Sequence, residues 1–188
     1  NQEKEDFNLD PLTVDLWVSF INYRIKNDVF NVNGNVDGFA EYVDACTRAR
    51  SKGLKVCTHF IVGLPEEKPE DSLISLQKVL DLGTDGIKIH PLHVVKGTQL
   101  ARQWKRGEYE PVTLEDYTNT VVRTLKRLPA DIVVHRLTGT ASPDLLLAPE
   151  WCSKKWMVLN KISNDLADKI PMDHKFVTSE LQDFHSNA

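Results

Sequence analysis

The amino-acid sequence predicts an α/β fold in which parallel strands alternate with helices. The first observation is the alternation itself, because three short apolar runs are separated by segments of helical periodicity about four turns long. The second is that residues 60–62 (FIV) and 132–134 (IVV) are apolar at every position, as expected of strands covered on both faces. The third is that glycine or proline follows each helical segment. Periodicity alone leaves open whether the strands form an open sheet or part of a barrel.

The composition is that of an ordinary globular protein. The 188 residues are 41% hydrophobic and 27% charged, with a formal net charge of −4, which excludes collagen-like and wholly disordered chains. A mildly acidic balance gives no general attraction to nucleic acid. No apolar run approaches the roughly 18 residues of a membrane span, and residues 1–6 are too polar for a secretory signal. We therefore expect a cytoplasmic protein without membrane contact.

The cysteine count supports the same compartment. Cys46, Cys57 and Cys152 are far apart in the sequence, and an odd number without close spacing argues against a disulfide framework. The chain has no CxxC or CxxxCxxC segment. It therefore offers no recognisable zinc or iron–sulfur site of its own.

Helix and strand signals can be followed in order along the middle of the chain. The predicted elements are a helix over residues 37–52 that stops at Gly53, a strand over 54–62, a helix from Pro69 to Gly83, a strand over 86–95, a helix that opens with a capping box of Thr113 and Asp116 and ends before Pro129, a strand over 131–137, and a helix over 151–169.

Both ends of the chain carry weaker patterns. Residues 9–30 fit either a helix or a buried strand, and residues 31–38 are rich in turn formers. The last residues have little periodicity and suit a loosely docked tail. We therefore divide the chain into an entry segment (1–36), a set of βα units (37–170) and a tail (171–188).

Polar side chains and glycines follow the predicted strands at their carboxyl ends. They lie in residues 63–67 (GLPEE), 93–98 (HVVKGT) and 135–140 (HRLTGT). In parallel α/β folds these ends converge on the ligand. Lys88 and His90 share one face of their strand, and two polar side chains on a buried strand require a polar cavity or partners. This pattern favours a pocket.

Each of these features also has a structural alternative. The glycine and proline of residues 63–65 can simply turn the chain, and histidines on buried strands can be hydrogen-bonded core residues. His90 and His93 are three apart, so in a regular strand they face opposite sides and form no ready metal pair. Residues 96–98 (KGT) could hold an anion but lack the spacing of a phosphate-binding loop.

Four segments closely resemble the YhcC-like family of radical S-adenosylmethionine (SAM) proteins. They are residues 54–65 (LKVCTHFIVGLP), 85–98 (DGIKIHPLHVVKGT), 135–136 (HR) and 147–152 (LAPEWC). The resemblance extends over residues 37–162. It implies a partial (β/α)6 barrel in which an upstream CxxxCxxC loop holds a [4Fe–4S] cluster, and SAM bound at that cluster is cleaved reductively to a radical.

The resemblance also implies where the cofactor and substrate would lie in this chain. The backbone of the second and third strand ends matches the cofactor-binding region, which assigns Val62, Gly63, Leu64, Ile89, His90 and Leu92 to cofactor binding. Polar side chains near these ends match the lining of the reaction cavity, which assigns His90, His93, Lys96, His135 and Arg136 to the catalytic site.

The sequence departs from the family in two respects. Glu66 stands where the family has a glycine, and the cysteine triad is missing. We therefore expect either the C-terminal half of a longer enzyme of unknown substrate, served by an electron-donor protein, or a diverged relative. A half barrel has an unpaired edge, so a missing segment or a homo-oligomer is expected.

Two other functions remain open from the sequence. The stronger is a cluster-free α/β module that binds a small anionic ligand or a protein partner. The weaker is a phosphate-binding barrel enzyme that uses histidine and lysine as acid and base, because the strand ends lack the expected carboxylate partners.

Overall fold

The computed structural model describes residues 13–17 and 39–167. In chain order its elements are β1 (Thr13–Trp17), α1 (Phe39–Ser51), β2 (Lys55–Val62), α2 (Pro69–Asp81), β3 (Gly86–Pro91), β4 (Val94–Val95), α3 (Gln99–Lys105), α4 (Leu114–Leu125), β5 (Val133–Arg136), β6 (Leu146–Ala148), a 3-10 helix (Glu150–Ser153) and α5 (Lys155–Ala167).

The main sheet has four strands in the order β1, β2, β3 and β5, and every neighbouring pair is parallel. Helix α1 precedes β2, and α2 connects β2 to β3. This is the alternation of parallel strands and helices that the sequence predicts, and the α/β fold class is confirmed.

The described helices that pack on this sheet share one face of it. Helices α1, α2, α4 and α5 join a single apolar core with Val56, Phe60 and Val62 of β2 and with Ile87 and Ile89 of β3. Residues at the intervening strand positions therefore point to the opposite face. A doubly wound sheet has helices on both faces, whereas a barrel has them only outside. In the described part of the chain, the helices cover one face of the sheet.

The helix ends follow the local signals in the sequence. Pro69 opens α2, and the hydroxyl of Thr113 accepts a hydrogen bond from the backbone N–H of Asp116 at the start of α4. Gly53 and Gly83 have φ of 72° and 80° after α1 and α2, a backbone conformation that glycine adopts without strain.

The predicted strand over residues 86–95 is wrong in its second half. Strand β3 ends at Pro91, and Val94–Val95 forms a separate antiparallel pair with β6. Proline has no N–H for the ladder, and the next N–H, that of Leu92, donates to the carbonyl of Val62. The chain leaves the sheet there and forms a small second core between β4, β6 and α3.

The ends of the chain are described only in part. Within the ambiguous segment 9–30, residues Thr13–Trp17 are a strand. The turn-rich loop at 31–38 and the tail at 171–188 lie outside the described residues. The last predicted helix begins later than residue 151, because a 3-10 helix precedes Lys155. In the described part of the chain, no helix is both long and apolar enough to cross a membrane.

Candidate functional site

Two histidines stack on the face of the sheet opposite the helices. His59 of β2 and His90 of β3 have ring centroids 5.6 Å apart and an interplanar angle of 16°. Lys88 lies opposite His59 in the register and shares the face of His90. His59 is only 5% exposed. This face therefore carries the polar cluster that the alternation of Lys88 and His90 predicts.

His90 is uncharged at neutral pH because of its surroundings. Burial is the main cause that lowers its pKa to about 4, and positive charges nearby act in the same direction. Those charges come, in decreasing order of effect, from Arg136, His59, His93 and Lys88. A neutral imidazole keeps one nitrogen with a lone pair and one with a proton. His90 can therefore either donate or accept a hydrogen bond in a site that is otherwise rich in positive charge.

Gly139 holds two of these histidines in place. A Cβ at this position would lie 2.6 Å from Nδ1 of His90, so only glycine allows the ring to approach the backbone so closely. A hydrogen bond with the backbone of Gly139 raises the pKa of His93, although burial, the larger effect, leaves that pKa below its usual value. The sequence places Gly139 in a strand-end loop but does not indicate that it packs against His90.

The structure brings His90 and His93 together at Gly139, and Arg136 lies opposite Lys88 on the neighbouring strand, but two other predicted residues lie elsewhere. His135 lies over Gly86, at the opposite end of β3, where a Cβ on that glycine would be 2.7 Å from its Nε2. Lys96 is exposed in the turn between β4 and α3. Neither residue acts on the pKa of His90 or His93.

The turn after β2 is closed by a carboxylate. Oε2 of Glu67 accepts the backbone N–H groups of Gly63 and Leu64 at 2.8 and 2.9 Å, and Oε1 accepts the hydroxyl of Ser72 at 2.7 Å. The carbonyl of Gly63 accepts the hydroxyl of Tyr109 at 2.6 Å. The backbone groups of Gly63 that were assigned to a cofactor are therefore bound within the protein.

The remaining predicted cofactor positions belong to the sheet and its core. The carbonyl of Val62 accepts from Leu92, whose side chain packs on the second core. Ile89 is 1% exposed and lies among the helices. Of this group, His90 is the residue whose side chain reaches the polar face.

A cavity of about 640 Å³ lies beside the Glu67 turn. It is bounded by residues 62–69, the loop at 108–113 and the first turns of α2 and α4. Burial raises the pKa of Glu67, whereas its hydrogen bonds from Ser72, Leu64 and Gly63 oppose that shift. Four further carboxylates line the cavity, namely Glu66, Glu108, Glu110 and Asp116.

Comparison with known proteins identifies the family. Residues 84–168 match the family described as the Radical_SAM C-terminal domain. Protein YhcC of Escherichia coli (strain K12) is 44% identical over 118 residues, which are 63% of this chain and 38% of YhcC. Protein YtqA of Bacillus subtilis (strain 168) is 33% identical over 161 residues, which are 86% of this chain and 50% of YtqA. Residues 84–168 thus form a radical SAM C-terminal domain, and the chain as a whole is similar to YhcC and YtqA.

A solved structure agrees with this assignment at the level of the fold. The Elp3 protein of the archaeon Methanocaldococcus infernus, with an N-terminal deletion, superposes with a TM-score of 0.61 over 79% of this chain and 34% of Elp3. At 18% sequence identity this likeness concerns the fold alone. The chain spans half or less of the length of YhcC and YtqA.

Proposed function

We propose that this protein is a radical SAM enzyme in which the polar face of the sheet forms one wall of the reaction chamber. The observation that carries the proposal is the stacked pair of His59 and His90 with Arg136 nearby, on the face without described helices. In a barrel this face points inward. The match to the Radical_SAM C-terminal domain and the one-sided layering support the same placement.

The residues described here do not fit an iron–sulfur cluster. Cys46, Cys57 and Cys152 are all buried and lie on α1, β2 and the 3-10 helix. In the described part of the chain, no group of three or more metal-ligating side chains could hold a metal ion. We therefore assign the cluster to a further segment of the protein. When bound at such a cluster, SAM supplies the radical that abstracts hydrogen from a substrate.

The side chains of this chain would shape the chamber around that chemistry. His90 and His93 are half-buried and their pKa values are lowered by burial, so as neutral rings they supply hydrogen bonds without adding charge. The apolar core behind β2 and β3 closes the outer side of the wall and excludes water. Arg136 supplies a fixed positive charge at the carboxyl end of β5.

The setting of this activity is part of the same proposal. Three free cysteines are typical of a reducing cytoplasm. Reductive cleavage requires an electron, which we assign to an electron-donor protein. The described outer strands β1 and β5 each pair with one neighbour in this sheet, and a further segment or a second copy of the chain would cover such edges.

The test uses the full product of the gene that encodes this chain. We expect three cysteines at CxxxCxxC spacing upstream, and anaerobic reconstitution with iron and sulfide should give a cluster absorbance that SAM perturbs. The 188-residue chain, treated in the same way, is the matched control and should stay colourless. A colourless full product, or a cluster that does not respond to SAM, would contradict the proposal.

The second candidate is a cluster-free module that binds a small anionic ligand or a protein partner. It is favoured by the positive charges around His90 and by the lack of cluster ligands in the described residues. Thermal unfolding of the 188-residue chain with SAM and without iron separates the two. A ligand that binds only the folded state raises the unfolding temperature, so strong stabilisation without iron would favour the module.

A further inference from the structure

Arg136 has no partner for its charge among the residues that the structure describes. It is half-buried at the last position of β5, and its guanidinium makes no hydrogen bond or ion pair with the residues that the structure describes. A guanidinium carries five N–H donors in a planar fork that matches carboxylate and phosphate oxygens. Half-burial removes part of the water that would otherwise satisfy them.

The neighbours of Arg136 add to its need for an anion. Lys88 lies directly opposite it in the register of β3 and β5, and like charges at opposed positions on neighbouring strands destabilise a sheet. Burial is the main cause that lowers the pKa of His90, and Arg136 is the charge that adds most to this shift. Among the described groups that act on the pKa of His90, none is a carboxylate.

A second atom nearby also lacks a partner. Nε2 of His93 is buried and makes no hydrogen bond within the described residues. Gly139, three residues after Arg136, packs against the ring of His90 and is hydrogen-bonded through its backbone to His93, so both histidines lie at the segment that follows β5. A buried imidazole nitrogen without a partner is costly, and a ligand that fills this corner would satisfy it.

We infer that Arg136 binds a carboxylate or phosphate group of the ligand that enters this chamber, and that Nε2 of His93 makes a second hydrogen bond to the same ligand. The inference rests on the proposed function only for the position of the chamber, and it names the chemistry of what the chamber accepts. An anionic group between the two side chains would neutralise Arg136 and complete the hydrogen bonding of His93.

The experiment uses the 188-residue chain with inorganic phosphate as the probe and acetate as the probe for carboxylates. Ring signals of His90 and His93 are followed by NMR at neutral pH while the anion replaces chloride at constant ionic strength. We expect a saturable shift of these signals with at least one of the two anions. Arg136→Gln should weaken that binding about tenfold or more, because a charged hydrogen-bonded pair is lost.

Two further variants serve as controls for this experiment. Arg123→Gln removes one positive charge from an arginine of α4 that pairs with Glu70, and it should bind the anion as the wild type does. Arg136→Lys keeps the charge but not the fork, so binding should fall between wild type and Arg136→Gln. It also reports on the site if Arg136→Gln does not fold.

Either of two results would contradict the inference. If neither anion gives a saturable shift of His90 and His93, or if Arg136→Gln and Arg136→Lys bind as tightly as the wild type, Arg136 is not the anion site. Neither iron nor SAM is present in this measurement. Its failure is therefore distinguishable from failure of the proposed radical chemistry.

Discussion

Glu67 accepts the backbone N–H of Gly63 at 2.8 Å, and this bond fixes the turn at the carboxyl end of β2. The same carboxylate takes a second N–H from Leu64 and the hydroxyl of Ser72. Since Ser72 belongs to α2, one side chain ties the strand end to the helix that follows. The turn is thus held by the protein itself, whatever the chamber binds.

The first prediction concerns this carboxylate. Glu67→Ala leaves three donors without an acceptor in a partly buried turn, so the free energy of unfolding should fall by about 1–3 kcal/mol. Glu67→Gln keeps one acceptor oxygen and should lose less. Denaturant unfolding measures both, with Glu70→Ala on the exposed side of α2 as the control. Equal stability of Glu67→Ala and Glu70→Ala would contradict the role assigned to Glu67.

The second prediction concerns the neighbouring residue, Glu66. Its φ is 62°, a left-handed conformation that costs a side-chain-bearing residue roughly 1–2 kcal/mol. Glu66→Gly removes that strain but gives the unfolded chain more freedom. We expect a net gain of about 0.5–1 kcal/mol in denaturant unfolding.

Substitution of Glu66 by other residues provides the control. Asn tolerates the left-handed region better than most residues, so Glu66→Asn should fall between wild type and Glu66→Gly. Glu66→Ala keeps a Cβ and should bring no gain. If Glu66→Ala stabilised the protein as much as Glu66→Gly, backbone conformation would not be the cause.

The third prediction is a loss of stability in acid that depends on His90. Its pKa is about 4 when folded and about 6.5 when unfolded, so below pH 6.5 the unfolded chain binds more protons. Stability is therefore complete above pH 6.5 and is lost as the pH falls towards 4, by roughly 3 kcal/mol at most. The basic groups that face His90 are Arg136, His59, His93 and Lys88.

His90→Phe isolates this contribution, because it keeps a flat ring beside His59 but cannot take a proton. Denaturant unfolding at pH 7 and pH 5 should show a smaller difference for this variant than for the wild type. Burial raises the pKa of Glu67, so its contribution to the pH dependence of stability has the opposite sign. That contribution is the same in both proteins. An unchanged difference between the two pH values would show that His90 is not the group responsible.

Much of the fold could be predicted because periodicity reflects burial. The alternation of Ile87, Lys88, Ile89 and His90 separates the core face of β3 from the polar face, and any long amphipathic segment carries such a signal. Short helices and strands contain too few residues to show a clear hydrophobic periodicity. Helix α3 has seven residues and β6 has three, and neither was predicted.

The site was harder to predict because it depends on contacts between distant segments. The register of β3 and β5 shifts between Ile87 and Lys88, a bulge that sequence does not signal. His135 lies over Gly86, whereas Arg136 is among the groups around His90. The hydrogen bonds of Glu67 in the turn could not be predicted either. Two consecutive glutamates are usually exposed, and the sequence does not indicate which carboxylate is buried.

The final prediction tests the close packing of Gly139 against His90. A Cβ at residue 139 would lie 2.6 Å from Nδ1 of His90, so Gly139→Ala must displace the ring and should destabilise the protein by about 1–3 kcal/mol. In a His90→Ala background the ring is absent and the same substitution should cost little. The difference, a coupling of about 1 kcal/mol or more, is measured by a double-mutant cycle in denaturant.

Gly86→Ala, which crowds His135 instead, should show no such coupling to His90. Additive losses for Gly139→Ala and His90→Ala would mean that this glycine does not position the histidine.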